Sequence, residues 1–131
     1  MTDRELNEKV VVELMRLITA ADPDAVLELL HPEFVSHNPN VAHDPRRSTG
    51  KQAFAEFLRS PAGAPMLGTD IEVERLIADD DHVVVHSRFT RAGSLHVAAV
   101  DILRLRDGLV IEHWDVLQPI PQSLPHRHGM V

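Results

Sequence analysis

The sequence predicts an α+β fold, with three N-terminal helices packed on a curved antiparallel sheet that encloses a pocket. Apolar residues recur at three- and four-residue spacing through the first half of the chain and at alternate positions from about Ile71 onward. The period thus changes from that of a helix to that of a strand. Connections in the second half are short and turn-like, so neighbouring strands form antiparallel hairpins. Helices followed by an antiparallel meander is the α+β pattern, and helices closing a bent sheet leave a cone whose mouth is a natural pocket.

Residues 3–21 read as the first helix, with Leu6, Val10, Leu14, Leu17 and Ile18 as its buried stripe. Asp22 is an N-cap and Pro23 suits the first helical position, where its missing N–H is not needed. That second, short helix ends at His31-Pro32. An extended stretch, Phe34 to Pro39, and a polar loop lead to a third helix over about 50–60, with Ala53, Phe54, Phe57 and Leu58 inward. Four strands follow, over 71–78, 83–90, 95–105 and 109–117. Their turns are Asp79-Asp80-Asp81, Ala92-Gly93 and Asp107-Gly108. Pro119, Pro121 and Pro125 forbid further pairing, so one domain is expected over 1–121, with 122–131 as a proline- and histidine-bearing tail.

Bulk properties narrow the function. The 131 residues carry 20 acidic and 13 basic side chains, a formal net charge of −7. A nucleic-acid module shows a basic stripe with interleaved aromatics, so no nucleic-acid partner is expected. No apolar run approaches the ~18 residues that span a bilayer, so no membrane partner is expected either. There are no cysteines, which removes thiolate chemistry and disulfides and fits a cytoplasmic location.

Strand parity selects the inward polar residues. Asp101, Leu103 and Leu105 share one face of the third expected strand; His113 and Asp115 share one face of the fourth. If Arg104 and Glu112 form the solvent-side cross-strand pair, Asp101, His113 and Asp115 all face the concavity. A plain two-residue Asp107-Gly108 loop would instead put Asp101 level with Trp114; a longer connection or a bulge restores the first register, which we prefer. A two-residue Ala92-Gly93 loop brings His86 opposite Ala99, on the Asp101 face with Arg88. Carboxylates gathered in a dry pocket push their pKa values apart, as proton-transfer chemistry requires.

The segment Phe34-Val35-Ser36-His37-Asn38-Pro39, the Gly50-Lys51 helix start, and Val100-Asp101-Ile102-Leu103-Arg104 followed by Asp107 through Glu112-His113-Trp114-Asp115 resemble SnoaL-like proteins. These belong to the superfamily named after nuclear transport factor 2, and the likeness, closest to the small bacterial branch, runs to about Pro121. It implies a cone of helices over a curved sheet, often dimeric through the outer sheet face. It also implies aldol-type ring closure without metal or cofactor, as in the polyketide cyclases, with Asp115 as the acid/base. Asp101 stands where those cyclases have a histidine, a departure that bears on the substrate. His37 and His86 match positions that are usually histidine in the small bacterial branch.

The expected catalytic set is therefore Asp115, Asp101, His86 and His37, with His113, Arg88, Phe34, Phe57, Phe89 and Leu103 contacting a small apolar or carbonyl-containing substrate. No metal-ligand spacing such as His-Glu-x-x-His occurs, and neither metal nor cofactor is expected. With no tyrosine in the chain, an oxyanion hole built on tyrosine, as in the related ketosteroid isomerases, is excluded. Two alternatives stand beside proton transfer: epoxide hydrolysis of limonene type by Asp101, Arg88 and Asp115, and a non-enzymatic ligand-binding module.

Overall fold

The computed structural model describes residues 2–91 and 95–131. Helix α1 spans Asp3–Thr19 and opens on a capping box, in which the Thr2 hydroxyl accepts from the Glu5 N–H and the Glu5 carboxylate accepts from the Thr2 N–H. Its buried face is Val11, Leu14, Met15 and Leu17, while Leu6 is exposed. The stripe is therefore turned from the expected one; the Val10-Val11-Val12 run left its phase ambiguous. Helix α2 spans Pro23–Glu28, with the Asp22 carboxylate accepting from Ala25 N–H as expected. Helix α3 spans Gly50–Arg59 and buries Ala53, Phe54, Phe57 and Leu58. A single 3-10 turn, Ala64–Met66, leads into the sheet.

The sheet has five strands rather than four, and it is mixed. Strands β2 (Asp70–Ala78), β3 (His82–Arg91), β4 (Leu95–Arg106) and β5 (Leu109–Pro119) form the expected antiparallel meander. Strand β1 (Leu30–Ser36) is the addition, lying parallel to β5 at the edge in the order β1-β5-β4-β3-β2. His31-Pro32 therefore lies within a strand instead of closing a helix. An edge strand tolerates Pro32 because a residue there can leave its N position outside the ladder. Pro119 likewise stays within β5, and the Ile120 N–H still donates to His96. The expected Ala92-Gly93 turn lies outside the described residues.

The helices cover the concave face. Val11, Leu14, Val26, Phe34, Phe57, Val83, Val85, Leu103 and Val110 meet in one core, and Phe89, Val97 and Ala99 form a smaller cluster farther along the same face. Among the described residues no helix is long and apolar enough to cross a membrane.

Gly50 fixes how α3 sits on the edge strand. A Cβ at this position would stand 1.9 Å from the Phe34 carbonyl oxygen and 3.3 Å from the Val35 Cα. Both neighbours are backbone and cannot rotate away. Gly50→Ala is expected to lower stability by about 2 kcal/mol through overpacking, read as a lower urea midpoint with an unchanged slope.

Candidate active site

The site is assembled by one irregularity in the last hairpin. Asp107 (φ 54°) and Gly108 (φ 74°) both take left-handed backbone, making the tight two-residue loop that suits a hairpin. Arg106 then pairs with Leu109 and Leu105 with Val110, yet Arg104 pairs with Glu112. Ile111 is the extra residue of a bulge, and beyond it every side chain of β5 changes face. The Arg104 guanidinium binds Glu112 at 2.9 Å on the outer face. On the inner face Leu103 lies opposite His113 and Asp101 opposite Asp115.

Asp101 and Asp115 directly across a ladder would repel, and His113 offsets this. Its Nε2 meets Asp101 Oδ1 at 2.8 Å. Burial pulls the His113 imidazole toward the neutral form, but the Asp101 hydrogen bond and the charges of Asp101 and Asp115 outweigh it, and the net pKa is raised. Burial likewise lifts the Asp115 carboxyl; the His113 charge and a hydrogen bond from Asn38 oppose this without cancelling it, and the Asp101 charge adds to it. The result is an imidazole and a neighbouring carboxyl that both bind a proton more readily than the free groups do.

Asn38 is the member that no sequence motif isolates. Its Nδ2 donates to Asp115 Oδ2 at 2.8 Å, while its Oδ1 accepts from the Asn40 N–H in an Asx turn. The Asn-Pro pair reads as a turn signal alone; only the β1–β5 pairing, in which Ser36 lies opposite His113, brings it to Asp115. Two carboxylate oxygens of the site, Asp115 Oδ1 and Asp101 Oδ2, are buried without a hydrogen-bond partner among the described residues. Asp115 and Asp101 line a cavity walled by Phe34, Phe54, Phe57, Phe89, Leu103 and Leu117.

Seven of the ten expected site residues thus meet around this cavity: Asp115, Asp101, His113, Phe34, Phe57, Phe89 and Leu103. The other three are on the outer face. His86 pairs with Val100 rather than Ala99, and Arg88 with Ala98, because three residues separate the paired Arg91 and Leu95 where two were expected. That one-residue slip reverses both side chains. His86 Nδ1 takes a hydrogen bond from Arg75, and its Nε2 lies 3.0 Å from the Met130 carbonyl. The alternation along β3 carried the signal, since Val83, Val85 and Phe89 share the parity opposite to His86 and Arg88. His37 also points outward, bound to Glu112 at 2.7 Å and stacked on Trp114 at 4.9 Å. Arg91, which was not among the expected residues, shares the inner parity of β3 and lines the cavity.

A cation could also be held here, since Asp101, His113 and Asp115 each offer a ligand atom within 4.8 Å of the others. Two carboxylates and one imidazole suit a hard divalent ion, although the imidazole nitrogen is already spent on Asp101. Asp79, Asp81 and His82 converge similarly on the exposed β2–β3 turn.

The SnoaL-like domain model matches residues 11–113. The chain belongs to the SnoaL-like family. No curated protein sequence matches this SnoaL-like chain. Solved structures do resemble it. A candidate ketosteroid isomerase from Kribbella flavida superposes with a TM-score of 0.73 at 22% identity, covering 100% of this chain and 91% of its own. A candidate SnoaL-like polyketide cyclase from Shewanella putrefaciens gives 0.70 at 18% identity, with 85% and 79% covered. The epoxide hydrolase/cyclase-like enzyme SalBIII, linked to pyran-ring formation in the polyether salinomycin, gives 0.67 at 22% identity, with 86% and 90% covered. These likenesses show the cone-shaped α+β fold.

Proposed function

We propose that this SnoaL-like protein is a cofactor-independent proton-transfer enzyme, an aldol-type cyclase or isomerase, with Asp115 as its acid/base. The observation that carries the reading is the state of Asp115. The residue lines the cavity, one of its oxygens is held by Asn38, the other is buried without a partner, and burial raises its proton affinity. A base poised above the ordinary carboxylate range is better matched to a weakly acidic C–H than a solvated aspartate is.

In this mechanism Asp115 Oδ1 takes a proton from the carbon next to a carbonyl. The C–H electron pair forms the enolate C=C bond, and the carbonyl π pair moves to oxygen. The His113 imidazolium, held by Asp101 and within 4.8 Å of the Asp115 carboxylate, opposes the negative charge that develops. Asp115 then returns the proton, to another carbon in isomerisation or to the new alkoxide after aldol closure. The phenylalanine wall excludes the water that would quench the enolate. Isomerases and cyclases among the similar structures agree with this chemistry.

Epoxide hydrolysis by Asp101, Arg88 and Asp115 is less well supported, since Arg88 stands on the other side of the sheet. A homodimer formed through the outer sheet face is a further part of this proposal, supported by Val116, which is 70% exposed and two residues from Trp114 on that face.

The test is deuterium uptake at the α-carbon of small β-keto esters in heavy water. Wild type is expected to accelerate exchange over buffer. No acceleration across the panel, together with diol formation from a small epoxide, would replace this reading with hydrolysis. The pH profile of exchange is a second check. Asp115 must be unprotonated and His113 protonated, so kcat/KM should rise through the raised Asp115 pKa and fall through the raised His113 pKa. A rising limb at the ordinary aspartate value would contradict the assignment.

A further inference from the structure

We infer that Arg91 is the anchor for an anionic group on the ligand, and that the cavity takes an elongated, mostly apolar molecule with a terminal carboxylate. This rests on the cavity being the substrate pocket and names the class of substrate. Arg91 is the one lysine or arginine among the described residues that line it. Its Nε is buried without a hydrogen-bond partner, and no carboxylate among the described residues forms an ion pair with it. Arg91 is half-buried; its guanidinium is a permanent cation with five donors in a fixed fork, suited to a carboxylate, and leaving the buried Nε–H unpaired is costly. A ligand carboxylate would supply the missing partner in bidentate geometry.

The position of Arg91 sets the shape of the ligand. On the inner face of β3 it stands six residues beyond Val85, which lies opposite Asp101 and thus level with Asp115. Six residues of strand is about 20 Å, part of which the arginine side chain spans. Between the two ends Phe89, Ile71 and Leu117 offer apolar wall. The ligand carboxylate held at Arg91 is therefore kept from Asp101 and Asp115, which would repel it. In a chain of net charge −7 the general field disfavours anions, so an anion's preference for this cavity must be local.

The test measures binding of 4-phenylbutyrate and 4-phenylbutan-1-ol at equilibrium by calorimetry. Wild type is expected to bind the acid at least tenfold more tightly than the alcohol. Arg91→Gln should abolish that preference while leaving alcohol binding unchanged, which also reports an intact cavity. Arg88→Gln, on the outer face of the same strand, should change neither. Equal affinities in wild type, binding of neither compound, or a preference that survives Arg91→Gln would overturn the inference. No turnover is involved, so failure here leaves α-proton exchange standing, and absence of exchange leaves anion selectivity standing.

Discussion

Asp115→Asn is expected to slow α-proton exchange about 10³-fold, or about 4 kcal/mol in the barrier, while making the protein more stable at neutral pH. The two effects share one cause. An ionised carboxylate buried among phenylalanines has a raised pKa, so its ionisation is less favourable in the folded protein than in the unfolded chain. Such a group contributes stability that is fully present below its unfolded pKa, near 3.8, and is lost as pH rises through the folded value. Asparagine cannot ionise and loses nothing over that window. It can still accept from Asn38 through its own amide oxygen, so the Asx turn has no reason to open. The gain should be on the order of 1 kcal/mol at pH 7 and vanish as pH falls below the ordinary aspartate range. Thermal unfolding of both proteins across pH reads the stability; exchange rates read the chemistry. A variant that loses exchange and is less stable at every pH would mean that Asp115 is a structural acceptor whose removal distorts the cavity.

How far the sequence disclosed this site depended on the distance between partners. The Arg104–Glu112 pair is one hairpin apart, and its charges specify the register that unites Asp101, His113 and Asp115 even though the Ile111 bulge has no signature of its own. Helix α3 was legible because Ala53, Phe54, Phe57 and Leu58 fall on one stripe; the Thr49–Gln52 capping box is added by the structure. Strand β1 was not. Its partner lies nearly 80 residues on, in parallel, where no turn announces the pairing, and Pro32 reads locally as a stop. Asn38 was lost with it. His86 and Arg88 were misplaced for a different reason, a single residue in the length of one loop, which inverts every side chain beyond it. Parity within a strand was the sounder guide there. It groups Arg91 with Val83, Val85 and Phe89 without reference to any loop.

His113→Leu should be the most destabilising change at the site, and adding Asp101→Leu should restore much of the loss. Asp101 is 5% exposed, and its Oδ2 already has no partner. Removing His113 takes away the hydrogen bond on Oδ1 and leaves a buried charge unpaired, which costs about 3–5 kcal/mol. Asp101→Leu alone should cost less, because the imidazole left behind can shed its proton. In the double variant two apolar side chains meet across the ladder beside Leu103, and an ion pair replaced by well-packed apolar residues is often neutral or better. Urea denaturation of the four proteins gives the coupling energy, and additivity of the two single changes would mean that no buried pair exists. The pH dependence supplies an independent sign. The His113 pKa is raised, so its stabilisation is complete below the ordinary imidazole value of 6.5 and fades as pH rises through the folded one. The penalty of His113→Leu should accordingly shrink at alkaline pH. A pair that can be exchanged for two leucines with little loss of stability is not there to hold the fold. In the proposed mechanism its part is to keep a positive charge beside Asp115.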